Sequence, residues 1–291
     1  MAKKAKKAKK AKRKPRARKT KSKPEIIAFE VSPRVRQHVS GPPPDGASAS
    51  RVRPLRILTV DPSLSGRMGG VATAPVPWEP LAPGPVGARF EVRLDPLPEP
   101  LKGAALDLEL PELLLSAGVS PSPSDARFHL QQVYAVCSLT HAAFRRALGR
   151  EIAWATPAPA EGPHRLVVRP FAVEAANAGY SREAGDLTFG WFKAGLAPAG
   201  FVVPRGLIAT ALSHDIIVHE TTHALLDGLR EAFHEPTHVD VPAFHEGFAD
   251  LVALLALADA PDVAPHRGVE LQRVAAGRGL RVAEHDADLH A

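Results

Sequence analysis

Polar and apolar side chains alternate over residues 88–94, Ala-Arg-Phe-Glu-Val-Arg-Leu, which is the two-residue period of a strand with one buried face. Residues 55–60, closed by Asp61-Pro62, and residues 71–76 are further strand candidates, the second linked to 88–94 by a proline-rich stretch. Residues 106–115 form a short amphipathic piece that the pattern does not place. The period then changes. Phe128, Leu130, Val133, Val136, Cys137, Phe144 and Leu148 recur at helical spacing and predict a helix over 125–148, with Ser124 as its N-cap and Gly149 at the C-terminal cap position. Residues 151–155 and 165–173 return to strand character. Residues 177–180 and 187–192 then flank 181–186 as the arms of a hairpin.

From Ser213 or Asp215 the chain reads as helical through at least Asp227, and this helix either ends at Gly228 or runs on to Phe233. A loop holding His234, Pro236, His238 and Asp240 follows. A second helix starts near Pro242, a residue tolerated in a first turn, and continues to residue 255. Strands first and helices last predict an α+β fold in which a twisted sheet backs the helices.

Charge divides the chain. The net charge of +6 over 291 residues hides a tail: residues 1–23 hold 14 of the 37 Lys and Arg and no acid, so the remainder has 23 basic against 31 acidic residues, a net −8. The Ala-Lys-Lys repeats carry no apolar stripe and predict a disordered arm suited to non-specific contact with nucleic acid or another polyanion. The expected organisation is a basic tail and Pro/Gly linker over 1–50, a β-rich part with one long helix over 51–200, paired helices over 201–260, and a short polar segment over 261–291. No apolar run has the length of a signal peptide core or a bilayer span, which makes a cytoplasmic protein the default expectation. The one cysteine, Cys137, excludes an internal disulfide and sits in the apolar helical pattern as a small core residue.

The chemistry lies in the paired helices. His219 and His223 stand four residues apart, on one helix face, close enough for both imidazoles to ligate one zinc ion. Glu220, about a third of a turn away, is placed to take a proton from a water on that ion. A catalytic zinc needs a third protein ligand. The Gly and His that would follow His223 by three and six residues in a metzincin are replaced by Leu226 and Leu229. Glu246, 23 residues beyond His223 on the next helix, can return a carboxylate to the metal, and Asp250 one turn later can accept the free ring N–H of His219.

His-Glu-Thr-Thr-His-Ala-Leu-Leu-Asp followed by His-Glu-Gly-Phe-Ala-Asp resembles the gluzincin zinc metallopeptidases, closest in layout to the thermolysin-like group. The resemblance implies a zincin-like catalytic lobe that cleaves peptide bonds internally in a peptide or protein substrate. It also implies Zn²⁺ held by His219, His223 and Glu246, Glu220 as general base, and Asp250 behind a ligand histidine. Thermolysin-like enzymes stabilise the oxyanion with a Tyr between the two helices and a His in a C-terminal helical domain. Here Tyr134 and Tyr180 both precede the first helix and 41 residues follow Asp250, so a truncated second domain is expected, with His234 or His238 as substitutes. By analogy, residues 189–192 would form the substrate's edge strand, with Trp191 as a contact. The alternative expectation is a catalytically silent zinc protein that works through its basic tail on a polyanion.

Overall fold

The computed structural model describes residues 51–62, 70–94, 105–195, 205–233, 235 and 237–259; the tail and linker expected over 1–50, His234, and the segment expected over 261–291 lie outside them. The described chain is an α+β fold. Its strands are β1 (Val52–Leu58), β2 (Val71–Pro77), β3 (Phe90–Val92), β4 (Leu166–Val173), β5 (Ala178–Ser181), β6 (Asp186–Lys193) and β7 (Leu207–Ala209). Its α-helices are α1 (Pro111–Leu115), α2 (Ala126–Leu148), α3 (His214–Leu229) and α4 (Asp240–Asp259). No helix among the described residues is long and apolar enough to cross a membrane.

β1 and β2 pair antiparallel, with Val52 opposite Pro77 and Leu58 opposite Val71. The other strands form a mixed sheet in the order β3-β4-β6-β5, with β7 also on β6. β3, β4 and β6 run parallel to one another, whereas β5 returns antiparallel to β6 through the hairpin that closes at Ser181 and Asp186. β5 is therefore an edge of this sheet. The strand assigned that place by analogy, 189–192, lies in β6, where Phe189 is fully buried between neighbours; the edge belongs to the other hairpin arm.

α2 lies against strands of both sheets and against α3. Its Phe128, Leu130, Val133, Tyr134, Val136 and Cys137 are fully buried, and each large apolar side chain contributes up to about 1.5–3 kcal/mol. Two glutamines cross this core. Gln132 accepts from Leu58 N (2.9 Å) and donates to Leu58 O (2.8 Å), while Gln131 donates to Arg56 O (2.8 Å) and accepts from Val119 N (2.7 Å). They supply β1 with the bonds a further strand would make, so its buried backbone stays satisfied against a helix.

The cap of α2 is Asp125 rather than Ser124: its carboxylate accepts from Arg127 N (3.0 Å) and sets a negative charge against the positive end of the helix dipole. Gly149 ends the helix in the left-handed conformation, at φ 66°. Residues 151–155 keep strand-like alternation, with Ile152 and Trp154 buried, but join no ladder. Their backbone packs instead on the last turn of α3, where a Cβ at Gly228 would stand 2.0 Å from Ala153 O. Gly228 thus allows a close approach and does not end the helix, which continues to Leu229.

One buried group makes the fold sensitive to acid. His129 in α2 is fully buried, with Nε2 2.8 Å from Pro123 O and its ring 4.9 Å from that of Phe171. Burial pushes its pKa down to about 4, against a pull upward from the Pro123 carbonyl and Asp125. The unfolded chain, with His near 6.5, binds the proton first, so stability is intact above that value and falls as pH drops towards 4. Between pH 7.5 and 5 His129 should cost about 2 kcal/mol of stability. Urea melts of His129→Leu at the two pH values should show a fall smaller by that amount; an identical fall would refute the assignment.

Candidate metal centre

α3 begins after Ser213, whose hydroxyl lies 2.6 Å from Asp215 Oδ1 and 3.0 Å from Asp61 Oδ2, and Asp215 sets a charge in the first turn that suits the helix dipole. Ile217, Val218, Ala224 and Leu225 are buried in the main core and fix the rotation of the helix. Thr221 and Thr222 donate back to Ile217 O (2.7 Å) and Val218 O (2.8 Å), which leaves no buried hydroxyl unsatisfied between the two histidines. The Thr221 hydroxyl, its one hydrogen given to Ile217 O, lies 3.2 Å from the thiol of Cys137, and burial holds the thiol's pKa near 12, so it is an inert core residue.

α4 crosses α3 and brings Glu246 to the histidines. His219 Nε2 and His223 Nε2 are 2.9 Å apart; Glu246 Oε2 lies 3.2 Å from the first and its Oε1 3.5 Å from the second. Ligands about 2.05 Å from a tetrahedral divalent ion stand about 3.3 Å from one another. The two imidazole nitrogens and the Glu246 carboxylate, a different oxygen of which lies nearest each nitrogen, are therefore spaced close to one face of such a tetrahedron, and two imidazoles with one carboxylate suit a borderline metal.

The outer nitrogens are held from α4. His219 Nδ1 lies 3.0 Å from Asp250 Oδ1, and because a carboxylate only accepts, the proton sits on Nδ1 and the Nε2 lone pair is presented to the metal position. Burial opposes charge on His219, but Glu246, Glu220 and Asp250 together outweigh it and raise its pKa. The Glu246 carboxyl is lowered, first by its bond to His219.

Glu220 is almost fully buried, and burial is the main reason its pKa rises to about 7, with the nearby Glu246 charge adding and His219 opposing. Its side chain lines the same cavity as His219, His223 and Glu246, a space of about 460 Å³. The far wall is Asn177, Ala178, Gly179 and Tyr180 at and beside edge strand β5, and Phe233, Val241 and Pro242 add an apolar side.

Two expected contacts lie elsewhere. Trp191 packs with Phe171, Ala126 and Ala209 in a small separate core and does not line the cavity. His238 is exposed at the start of α4, where its Nδ1 accepts from Asp240 N (3.3 Å), a helix-end role and not a cavity one. Tyr180, Phe233 and His245, by contrast, line the cavity without having been singled out for it. Helix periodicity sends His245 about 100° from Glu246; the crossing of α4 over α3 lets both reach the centre.

β5 is clamped to α3. Asp227, one turn beyond His223 and fully buried, accepts from Tyr180 Oη (2.7 Å) and from two nitrogens of Arg182, whose Nε is 2.8 Å away. Arg182→Met would leave the carboxylate buried with only the tyrosine, and a loss of about 3 kcal/mol is expected in urea unfolding. The double variant Arg182→Met/Asp227→Leu should recover most of it; equal stability of the single variant and the wild type would show the clamp to be inert.

No protein-family model, curated protein or solved structure matches the chain.

Proposed function

We propose that the protein is a zinc-dependent endopeptidase of gluzincin type. The observation that carries this reading is the convergence of His219 Nε2, His223 Nε2 and Glu246 on one metal position beside buried Glu220, in a cavity walled by an edge strand. His219, His223 and Glu246 would hold the ion. Zinc bound there lowers the pKa of a water molecule and polarises the scissile carbonyl.

Everything else falls to the protein. Glu220 takes the proton of the attacking water on its carboxylate and delivers it to the leaving nitrogen, a role suited to a carboxyl near neutrality. β5 offers backbone donors and acceptors to an extended peptide, and the cavity's apolar side from Phe233, Val241 and Pro242 takes a side chain. The Tyr180 hydroxyl donates to Asp227 and so serves the clamp, leaving β5 steady against the zinc helix.

The test is direct. Purified protein should hold one zinc per chain and cleave an unfolded peptide at internal bonds. A strong chelator should abolish cleavage and added zinc should restore it. Zinc at full stoichiometry with no cleavage of any peptide in a mixed library would favour the silent alternative.

A further inference from the structure

One face of α4 is open to solvent among the described residues. Phe244, Phe248, Leu251 and Leu255 stand at i, i+4, i+7 and i+11 and so share that face, whereas Glu246 and Asp250 leave the helix from another. Phe244, Leu251 and Leu255 are 48%, 51% and 57% exposed. The row continues onto the end of α2: the ring of Phe248 lies 6.4 Å from that of Phe144, and Leu148, one turn further along α2, is also exposed. Single exposed apolar side chains are ordinary, but a row of them on two adjoining helices marks a surface that something covers. Every charged residue of α4 is acidic, Asp240, Glu246, Asp250 and Asp259, and none is Lys or Arg.

We propose that this face is covered by the chain's own residues 266–283, which lie outside the described residues. α4 ends at Asp259, and Pro261 and Pro265 oppose its continuation, so the chain can double back. The row from Phe244 to Leu255 is about 16 Å long, and the six residues from 260 to 265 span up to about 20 Å, so the segment can lie along all of it. Its composition complements the face. Val269, Leu271, Val274, Leu280 and Val282 supply apolar contacts, and four Arg against one Glu give a net +3 to set beside the acids of α4. A second copy fits less well, because two α4 faces would bring acid against acid, and the Lys-rich residues 1–23 hold no apolar row to fill the surface. The segment holds from outside the helix that carries Glu246, on a side turned away from the histidines, and this stands whether or not the metal centre is catalytic.

The arginines make the segment readable with trypsin. In the full chain, cleavage after Arg273, Arg278 and Arg281, followed by mass spectrometry, should be slower by about 10-fold or more than in a synthetic peptide of residues 262–291. Leu251→Asp/Leu255→Asp, at two exposed positions, should bring these sites to the peptide's rate while circular dichroism stays that of the wild type. Leu271→Ser/Leu280→Ser, which alters no described residue, should do the same and raise the fluorescence of a dye that binds apolar surface, so the outcome is readable even if the α4 variant does not fold. Protection unchanged by either variant would overturn the proposal by placing the segment elsewhere. Wild-type cleavage at the peptide's rate would overturn it and leave the face to a separate partner. A wild-type dimer in light scattering that Leu251→Asp/Leu255→Asp splits would overturn it in favour of a second copy.

Discussion

Replacing Glu220 by Gln should leave zinc bound at one equivalent and reduce peptide cleavage by about 10²–10⁴-fold, the contribution of a positioned general base. The amide has nearly the shape of the carboxyl, so the cavity wall and the packing of α3 are preserved. What it lacks is a site that can take the water's proton. Glu220 also stands outside the three-donor cluster, so its loss should not weaken metal binding. Elemental analysis supplies the first number and kcat/KM on a quenched peptide the second. Cleavage at the wild-type rate would remove Glu220 from the mechanism, and loss of the zinc would place it among the ligands instead.

His223→Ala should be more drastic for the metal. Removing a partner behind a ligand costs about 10–100-fold in affinity, and removing the ligand itself should exceed that. The change deletes the donor that faces both His219 and Glu246, and it leaves His245 without the ring it stacks on. The fold should survive, because the surrounding Ile217, Val218, Ala224 and Leu225 belong to the main core and α4 reaches that core through Ala253, with Val252 and Ala256 packed against it. Circular dichroism matching the wild type, zinc below stoichiometry after dialysis and no detectable cleavage are expected. Stoichiometric zinc at wild-type affinity would show that the ion, if any, binds elsewhere.

Much of this was legible in the chain because local rules acted alone. The spacing of Phe128 to Leu148 and a glycine free to turn left-handed mark α2 without knowledge of any neighbour. The four-residue separation of His219 and His223 likewise sets their shared face, and the one-turn step from Glu246 to Asp250 does the same on α4. The failures are contextual. Residues 151–155 alternate like a strand, but whether a partner strand lies alongside depends on where α3 ends up. Edge and interior strands differ in their neighbours rather than in composition, so Leu187 to Phe192 read as readily for the edge as Asn177 to Tyr180. Gln131 and Gln132 look like a polar interruption of an apolar face until β1 is seen to need their amides. His245 meets His223 only where two helices cross, a relation that the periodicity of a single helix does not carry.

The contact between Gly228 and Ala153 O has a bearing on the histidines earlier in the same helix. A helix packed by smooth apolar side chains can slip along its axis, and a slip of one residue turns every side chain by about 100°. The missing Cβ lets the carbonyl of Ala153 seat directly on the backbone of α3, like a pawl against a ratchet tooth. The screw position of α3 is thus indexed from its far end, by a residue that takes no part in the chemistry.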